Sequence, residues 1–209
     1  MEHTPLHIGV MGLAAGGIAA YCREGDSFTF YEVNPEMIYV AGHYFSYVEE
    51  CRTMRSAEIK VVAGDARLSL EEELQKGIEQ LYDILVMDAF TGDSIPIHLL
   101  TKEAFAQYKK YLRTDIPGVI AINITNTYLD LVPLVEKLAE TVEMQVVIVS
   151  SYGVPVRGKI STWAILSRDK KLFSNSAFKT YMTSAVPEQK GFKVWTDDYS
   201  NLLSVIKLR

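Results

Sequence analysis

Strand-like apolar runs and helix-like amphipathic segments take turns along the whole chain, and this alternation restricts the fold more than any other feature. His7–Met11, Ser27–Glu32, Glu58–Ala63, Asp83–Met87 and Val119–Ile124 have the aromatic, β-branched or continuously apolar make-up of strands. Helical signals fill the gaps. Ile18–Arg23 reads as a short helix ending near Gly25, and Asn34-Pro35 offers a cap with a proline in the first turn. Asp65 can cap a helix in which Leu68, Leu70 and Leu74 recur, with Glu71, Glu72 and Glu73 expected to face water. Leu100, Ala104, Tyr108 and Tyr111 keep the helical period over Leu99–Leu112. Asp130 and Pro133 open a further helix with Leu134 and Leu138 on one face.

Strands separated by helices imply βαβ units and a parallel sheet. Gln145–Val149 and Ile160–Leu166 are joined by a loop with Gly153, Pro155 and Gly158, too short for a crossover helix, so they are expected to pair antiparallel. The expected fold is therefore α/β: a three-layer α/β/α sandwich on a seven-stranded, mostly parallel sheet with an antiparallel last strand. A final helix is expected over Tyr199–Lys207, and an appended helix and loop over Ser174–Lys190. At 209 residues the chain is read as one domain, 1–209.

Composition removes several classes. Hydrophobic residues at 48% and charged residues at 22% exclude a disordered or collagen-like chain. The net charge of −5 argues against nucleic acid as the main partner and agrees with a cationic one. The apolar stretch Ile8–Tyr21 is broken by Gly12, Gly16 and Gly17, is shorter than the ~20 residues of a membrane helix, and has no basic lead-in, so neither a span nor a secretory signal is expected. Cys22 and Cys51 have neither zinc nor CxxC spacing and are expected as buried, inert thiols of a reduced, cytoplasmic protein. His3, His7, His43 and His98 lack metal-ligand spacing, and GxSxG, HExxH and Walker loops are absent, so no metal is expected.

In open parallel sheets, ligands sit beyond the carboxyl ends of the strands. The first such position is the turn Gly12-Leu13-Ala14-Ala15-Gly16-Gly17. Small residues there let a backbone approach a ligand, although a tight βα turn alone also explains them. Ala14 stands where a dinucleotide fingerprint has its second glycine. Glu32, 20 residues after Gly12 and followed by Val33, could accept both ribose hydroxyls or be a plain strand-end acid. Asp65 with Ala66 could meet an adenine amino group, or Asp65 could only cap its helix. Asp88 ends the most apolar strand, where an unpaired carboxylate is costly. Asp93 follows as a second acid or a turn residue. Trp195-Thr196-Asp197-Asp198-Tyr199 is polar and aromatic, and capping of the last helix would also account for it.

The strings GLAAGGIAAY, FYEVNPEM, GDARLSL, YDILVMDAFTGDSIPIHLLTKEAF and WTDDYSNLL together resemble the spermidine-synthase-like family, notably members often fused to membrane transporter segments. The resemblance implies the class I fold of S-adenosylmethionine-dependent transferases and no metal. It assigns Gly12, Leu13, Ala14, Gly16, Glu32, Val33, Asp65 and Ala66 to the donor, S-adenosylmethionine or its decarboxylated form, with Glu32 on ribose and Asp65 on adenine. It assigns Asp88 to activation of the attacking amine, and Asp93, Asp198 and Tyr199 to the acceptor. Two departures accompany it. Ala15 stands where spermidine synthases carry an acid for the aminopropyl end, and the family's N-terminal β-hairpin region has no counterpart. The sequence thus implies a catalytic core, minimal or part of a longer, membrane-tethered protein. Aminopropyl transfer to a small amine leads. Methyl transfer and a non-catalytic nucleoside- or polyamine-binding domain are the alternatives. Family habit adds a homodimer.

Overall fold

Seven strands form where the apolar runs place them: β1 His7–Met11, β2 Ser27–Glu32, β3 Glu58–Ala63, β4 Ile84–Met87, β5 Val119–Asn123, β6 Gln145–Ser150 and β7 Thr162–Ser167. The helices are α1 Pro35–Tyr44, α2 Tyr47–Met54, α3 Ala66–Gln75, α4 Lys102–Lys110 and α5 Val132–Thr141. The computed structural model describes residues 4–78, 81–90, 92, 95–151, 161–176 and 192–207. The sheet order is β3-β2-β1-β4-β5-β7-β6. This is the expected mixed sheet, parallel at first and antiparallel around β7. Contacts group the chain into two compact units, residues 1–89 with 111–118, and residues 90–110 with 119–209.

In the first unit, β1 lies between β2 and β4, and β3 pairs with β2, all parallel. Val10, Met11, Leu85 and Met87 are buried, which fits the continuous apolar runs of strands covered on both faces. Asp83, just before β4, is pinned by the His7 N–H at 2.7 Å and by Arg113 at 3.2 Å. Helix α3 departs from expectation. Leu68 is 63% exposed while Glu73 is buried. Ala66, Leu70 and Glu73 share the inward face at helical spacing. Glu73 is turned in because buried phenols need an acceptor. Tyr31 donates to its carboxylate at 2.8 Å and meets the Tyr82 hydroxyl at 2.7 Å. Burial keeps both phenols protonated well above the ordinary range, Tyr82 up to about 12.

In the second unit, β7 runs antiparallel between β5 and β6, and α5 buries Leu134, Val135 and Leu138. Thr101 caps α4 by accepting from Ala104 N–H at 3.2 Å, so the helix starts at Lys102 rather than Leu99. Tyr199–Lys207 is not a helix. A 3₁₀ turn forms over Leu202–Val205, because the tail spends backbone groups on its neighbour: Asp130 N–H donates to Val205 and Lys207 N–H to Tyr128. The segment Ile18–Arg23 is likewise 3₁₀, over Gly17–Tyr21. The expected loop with Gly153, Pro155 and Gly158, and most of the Ser174–Lys190 appendage, lie outside the described residues.

Cys22 and Cys51 are buried as expected but are not free thiols: they form a disulfide with Cα atoms 5.7 Å apart. Their separation of 29 residues gives no sequence signal of pairing; α1, turning back into α2, brings them together. Among the described residues no helix is long and apolar enough to cross a membrane, and no group of three or more His, Cys, Asp or Glu side chains could hold a metal ion.

Candidate functional site

The residues that follow β1, β2, β3 and β4 form a row along one edge of the first unit. Backbone bonds extend the ladders one step past the strands. Asp88 N–H donates to Met11, Gly12 N–H to Tyr31 and Gly64 N–H to Glu32, at 2.8–2.9 Å. Neighbouring strands lie ~4.8 Å apart, so the row from Asp88 past Gly12 and Glu32 to Asp65 is about 14 Å long.

Gly12 sits at φ +96°, and a Cβ there would lie 2.6 Å from the Asp88 carbonyl oxygen. Only glycine lets the β1 turn pass this close to the end of β4. The turn continues with Gly16 N–H donating to Leu13 at 2.7 Å, and Ala14 and Gly16 are both left-handed, at φ 46° and 77°. Ala14 therefore carries backbone strain at the centre of the turn, of about 1–2 kcal/mol. Its side chain is exposed, and that of Ala15 is half-buried.

Glu32 is buried, and each of its carboxylate oxygens is held by one backbone N–H. One carboxylate oxygen accepts from Leu13 N–H and the other from Asn34 N–H, each at 2.9 Å. The acid thus ties the glycine turn to the β2–α1 turn, and α1 is capped in its own right by Asn34 accepting from Glu36 N–H. Each carboxylate oxygen has a second lone pair to offer a ligand hydroxyl. Val33, beside it, is 68% exposed, an apolar surface at the edge of the row. Asp65 caps α3, its Oδ1 accepting from Leu68 N–H at 3.0 Å, and Ala66 is buried behind it. Asp88 is half-buried at the other end.

The acceptor candidates fall elsewhere. Asp93 lies outside the described residues. Asp198 and Tyr199 are in the second unit, in a tight turn where Thr196 and Tyr199 exchange backbone hydrogen bonds at 2.8 and 3.1 Å. This turn is fastened to α4, not to a last helix. Thr101 donates to Asp197 Oδ1 at 2.7 Å, Asp197 N–H donates to Glu103 at 3.0 Å, and Lys102 N–H donates to the Trp195 carbonyl. Asp197 is therefore an anchor, a role its position in the string does not reveal. Asp198 is exposed, and the Lys193 ammonium lies 4.1 Å from the centre of the half-buried Tyr199 ring.

No protein-family model matches the chain. A polyamine aminopropyltransferase from Vibrio vulnificus is 30% identical over 126 residues, which are 59% of this chain and 39% of that protein. The solved spermidine synthase from Thermotoga maritima matches with a TM-score of 0.57 at 14% identity, over 98% of this chain and 66% of its own. A spermidine synthase in complex with the transition state analogue AdoDATO matches with a TM-score of 0.52 at 12% identity, over 98% of this chain and 65% of its own. The match thus spans about two fifths of the curated relative and under two thirds of each solved structure. The chain is thus similar to an aminopropyltransferase over part of its length, and to spermidine synthases in fold.

Proposed function

We propose that the chain is a transferase domain that binds an adenosyl sulfonium donor along the Asp88-to-Asp65 row and transfers its aminopropyl group to a small amine. One observation carries the reading. The glycine turn, Glu32 and Asp65 stand side by side on one sheet edge, and Glu32 is locked by two backbone N–H groups with acceptor capacity to spare. In this reading Glu32 takes the ribose hydroxyls, Asp65 and Ala66 face the adenine edge, and Val33 lies against a ring. The glycine turn, Gly12 to Gly16, lets the chain pass close to the sulfur end. The row then ends at Asp88, where the reacting carbon would lie.

The chemistry needs little else. The amine nitrogen attacks the methylene carbon beside the sulfonium. A C–N bond forms as the C–S bond breaks, and the electron pair stays on sulfur as a neutral thioether. The amine proton passes to a carboxylate, for which Asp88 is placed. Holding the reactants ~3–3.5 Å apart and in line supplies most of the acceleration. Asp198 and Tyr199, with Asp93, are assigned to the cationic acceptor, in keeping with the net charge of −5. Nucleic acid is not the acceptor in this reading. Residues 1–209 act as one domain, working as a homodimer in the cytoplasm.

Methyl transfer is the second reading, and Ala15 favours it. An alanine cannot hold the ammonium of an aminopropyl group, and methyl transfer does not require that contact. Thermal-shift titrations with S-adenosylmethionine, its decarboxylated form and methylthioadenosine decide the donor, and mass spectrometry of products from a mixture of amines decides the reaction. Stabilisation by the decarboxylated donor with aminopropylated product supports the proposal. Methylated product transfers it to the second reading, and no response to any of the three overturns the donor site. Asp88→Asn should keep donor binding and lose turnover by about 10²–10⁴-fold; unchanged turnover would remove Asp88 from the reaction.

A further inference from the structure

The disulfide lies outside the row of acids, but it closes on the element that shapes the row. Cys22 follows directly on the 3₁₀ turn Gly17–Tyr21, the continuation of the glycine turn, and Cys51 lies in α2. The same face of α2 also braces the turn itself. A Cβ on Gly16 would lie 2.7 Å from Val48 Cγ2, and Val48 and Cys51 are one helical turn apart. The covalent link therefore holds α2 against the end of the turn, and α2 presses Val48 onto its last glycine. The stretch of chain that the link closes off contains β2, Glu32, Asn34 and α1. Glu32 in turn grips the start of the glycine turn through Leu13 N–H.

A reductant has a route to the link. Cys22 and Cys51 are only 7% and 2% exposed, but both line a cleft of about 80 Å³ together with Ala20, Tyr47, Met54 and Arg55. Met54, the α2 residue that lines the cleft, is 76% exposed.

We propose that Cys22 and Cys51 form a redox latch that sets the affinity of the nucleoside site. The latch rests on the donor-site reading above. When oxidised, it holds α2 on the glycine turn and the site is preformed. A dithiol reductant opens it: one thiolate attacks a disulfide sulfur to give a mixed disulfide, and its second thiol displaces the remaining protein thiolate. Two electrons and two protons are thereby transferred, leaving two cysteine thiols and an oxidised dithiol. Without the link, α2 is held by packing alone, and part of the binding free energy goes into ordering the turn.

The test compares the oxidised chain, the chain reduced with excess dithiothreitol, and a Cys22→Ser/Cys51→Ser double variant. Thiol titration should find none in the first and two in the second. Amide hydrogen exchange over residues 12–21 and 47–54 should quicken at least tenfold on reduction, with little change in β1 and β4. Affinity for methylthioadenosine should fall at least fivefold in the reduced chain, and the double variant should match that chain and ignore the reductant. Unchanged exchange in both segments, or equal affinity in both states, overturns the latch. If methylthioadenosine binds in neither state, the donor-site reading fails and so does control of affinity, while the exchange data still decide whether the link restrains α2.

Discussion

Glu32→Gln separates a ligand-holding acid from a plain strand-end acid, because the wild-type carboxylate already has both oxygens in use. Leu13 N–H and Asn34 N–H each point at one oxygen from 2.9 Å. Glutamine keeps the size but replaces one oxygen with an NH₂ group. In either amide orientation, one backbone donor then faces another donor. Leaving a buried N–H without an acceptor costs about 1–3 kcal/mol. For a chain of this length that corresponds to a melting temperature lower by about 2–12 °C with no ligand present. Ligand affinity falls separately. A hydrogen bond to a charged acceptor contributes about 1.5–3 kcal/mol, so loss of the ribose contact should weaken methylthioadenosine binding by about ten- to a hundredfold. Scanning calorimetry of the free variant reads the first effect and isothermal titration the second. Glu32→Asp is the companion: it keeps the charge but is one methylene too short to reach both N–H groups. A Glu32→Gln protein that melts like wild type and binds the nucleoside equally well would refute both the bridging role and the ribose assignment.

Two further outcomes follow from the same geometry. Gly12→Ala should destabilise the fold by more than ~2 kcal/mol and abolish nucleoside binding, since its methyl group would sit 2.6 Å from the Asp88 carbonyl oxygen at φ +96°; Ala14→Gly, two residues on, should shift stability by less than ~1 kcal/mol, because relief of the left-handed strain is offset by a freer unfolded chain. Equal denaturant midpoints for the two variants would contradict this. The buried phenols set an alkaline limit. Burial, reinforced by the charge of Glu73 and opposed by its hydrogen bonds with Tyr31 and Thr29, raises Tyr82 to about 12, so the folded state holds this proton more tightly than the unfolded chain. Its contribution to stability is complete below pH ~10 and is lost as the pH climbs from there towards 12. Tyr82→Phe should lower stability at pH 7 by about 1–2 kcal/mol and flatten that alkaline loss; an unchanged alkaline slope would count against it.

Most of the fold was legible because its signals are local. Apolar runs marked β1 and β4, aromatic residues and Thr marked β2, and Asn34-Pro35 and Asp65 marked where α1 and α3 begin. What stayed hidden depends on partners distant in sequence. Glu73 looked like one of three exposed acids, but its partners Tyr31 and Lys60 are 42 and 13 residues away in sequence. The tail Leu202–Val205 has helical spacing, but its backbone bonds go to 128–130. Cys22 and Cys51 carried no pairing signal, since helix packing rather than spacing set their distance.

The site shows the same division, and the division bears on function. The residues proposed for the donor lie at strand ends, which the topology of a parallel sheet makes predictable, so Gly12, Glu32, Asp65 and Asp88 could be picked out before any contact was known. What the geometry adds is a reason for the residue types. Glu32 must be an acid with two oxygens because two backbone donors converge on it, and Gly12 must lack a side chain because the Asp88 carbonyl is already there. Capping of α3 occupies Asp65 Oδ1, which accepts from Leu68 N–H. The residues proposed for the acceptor have no such logic in sequence. In WTDDY the two acids look equivalent and both are exposed, yet Asp197 is spent on Thr101 and on the first turn of α4. Removing Asp197 should therefore loosen the whole turn and shift the melting temperature, whereas Asp198→Asn should leave it unchanged and alter acceptor KM alone. A matching loss of stability in both variants would dissolve the distinction.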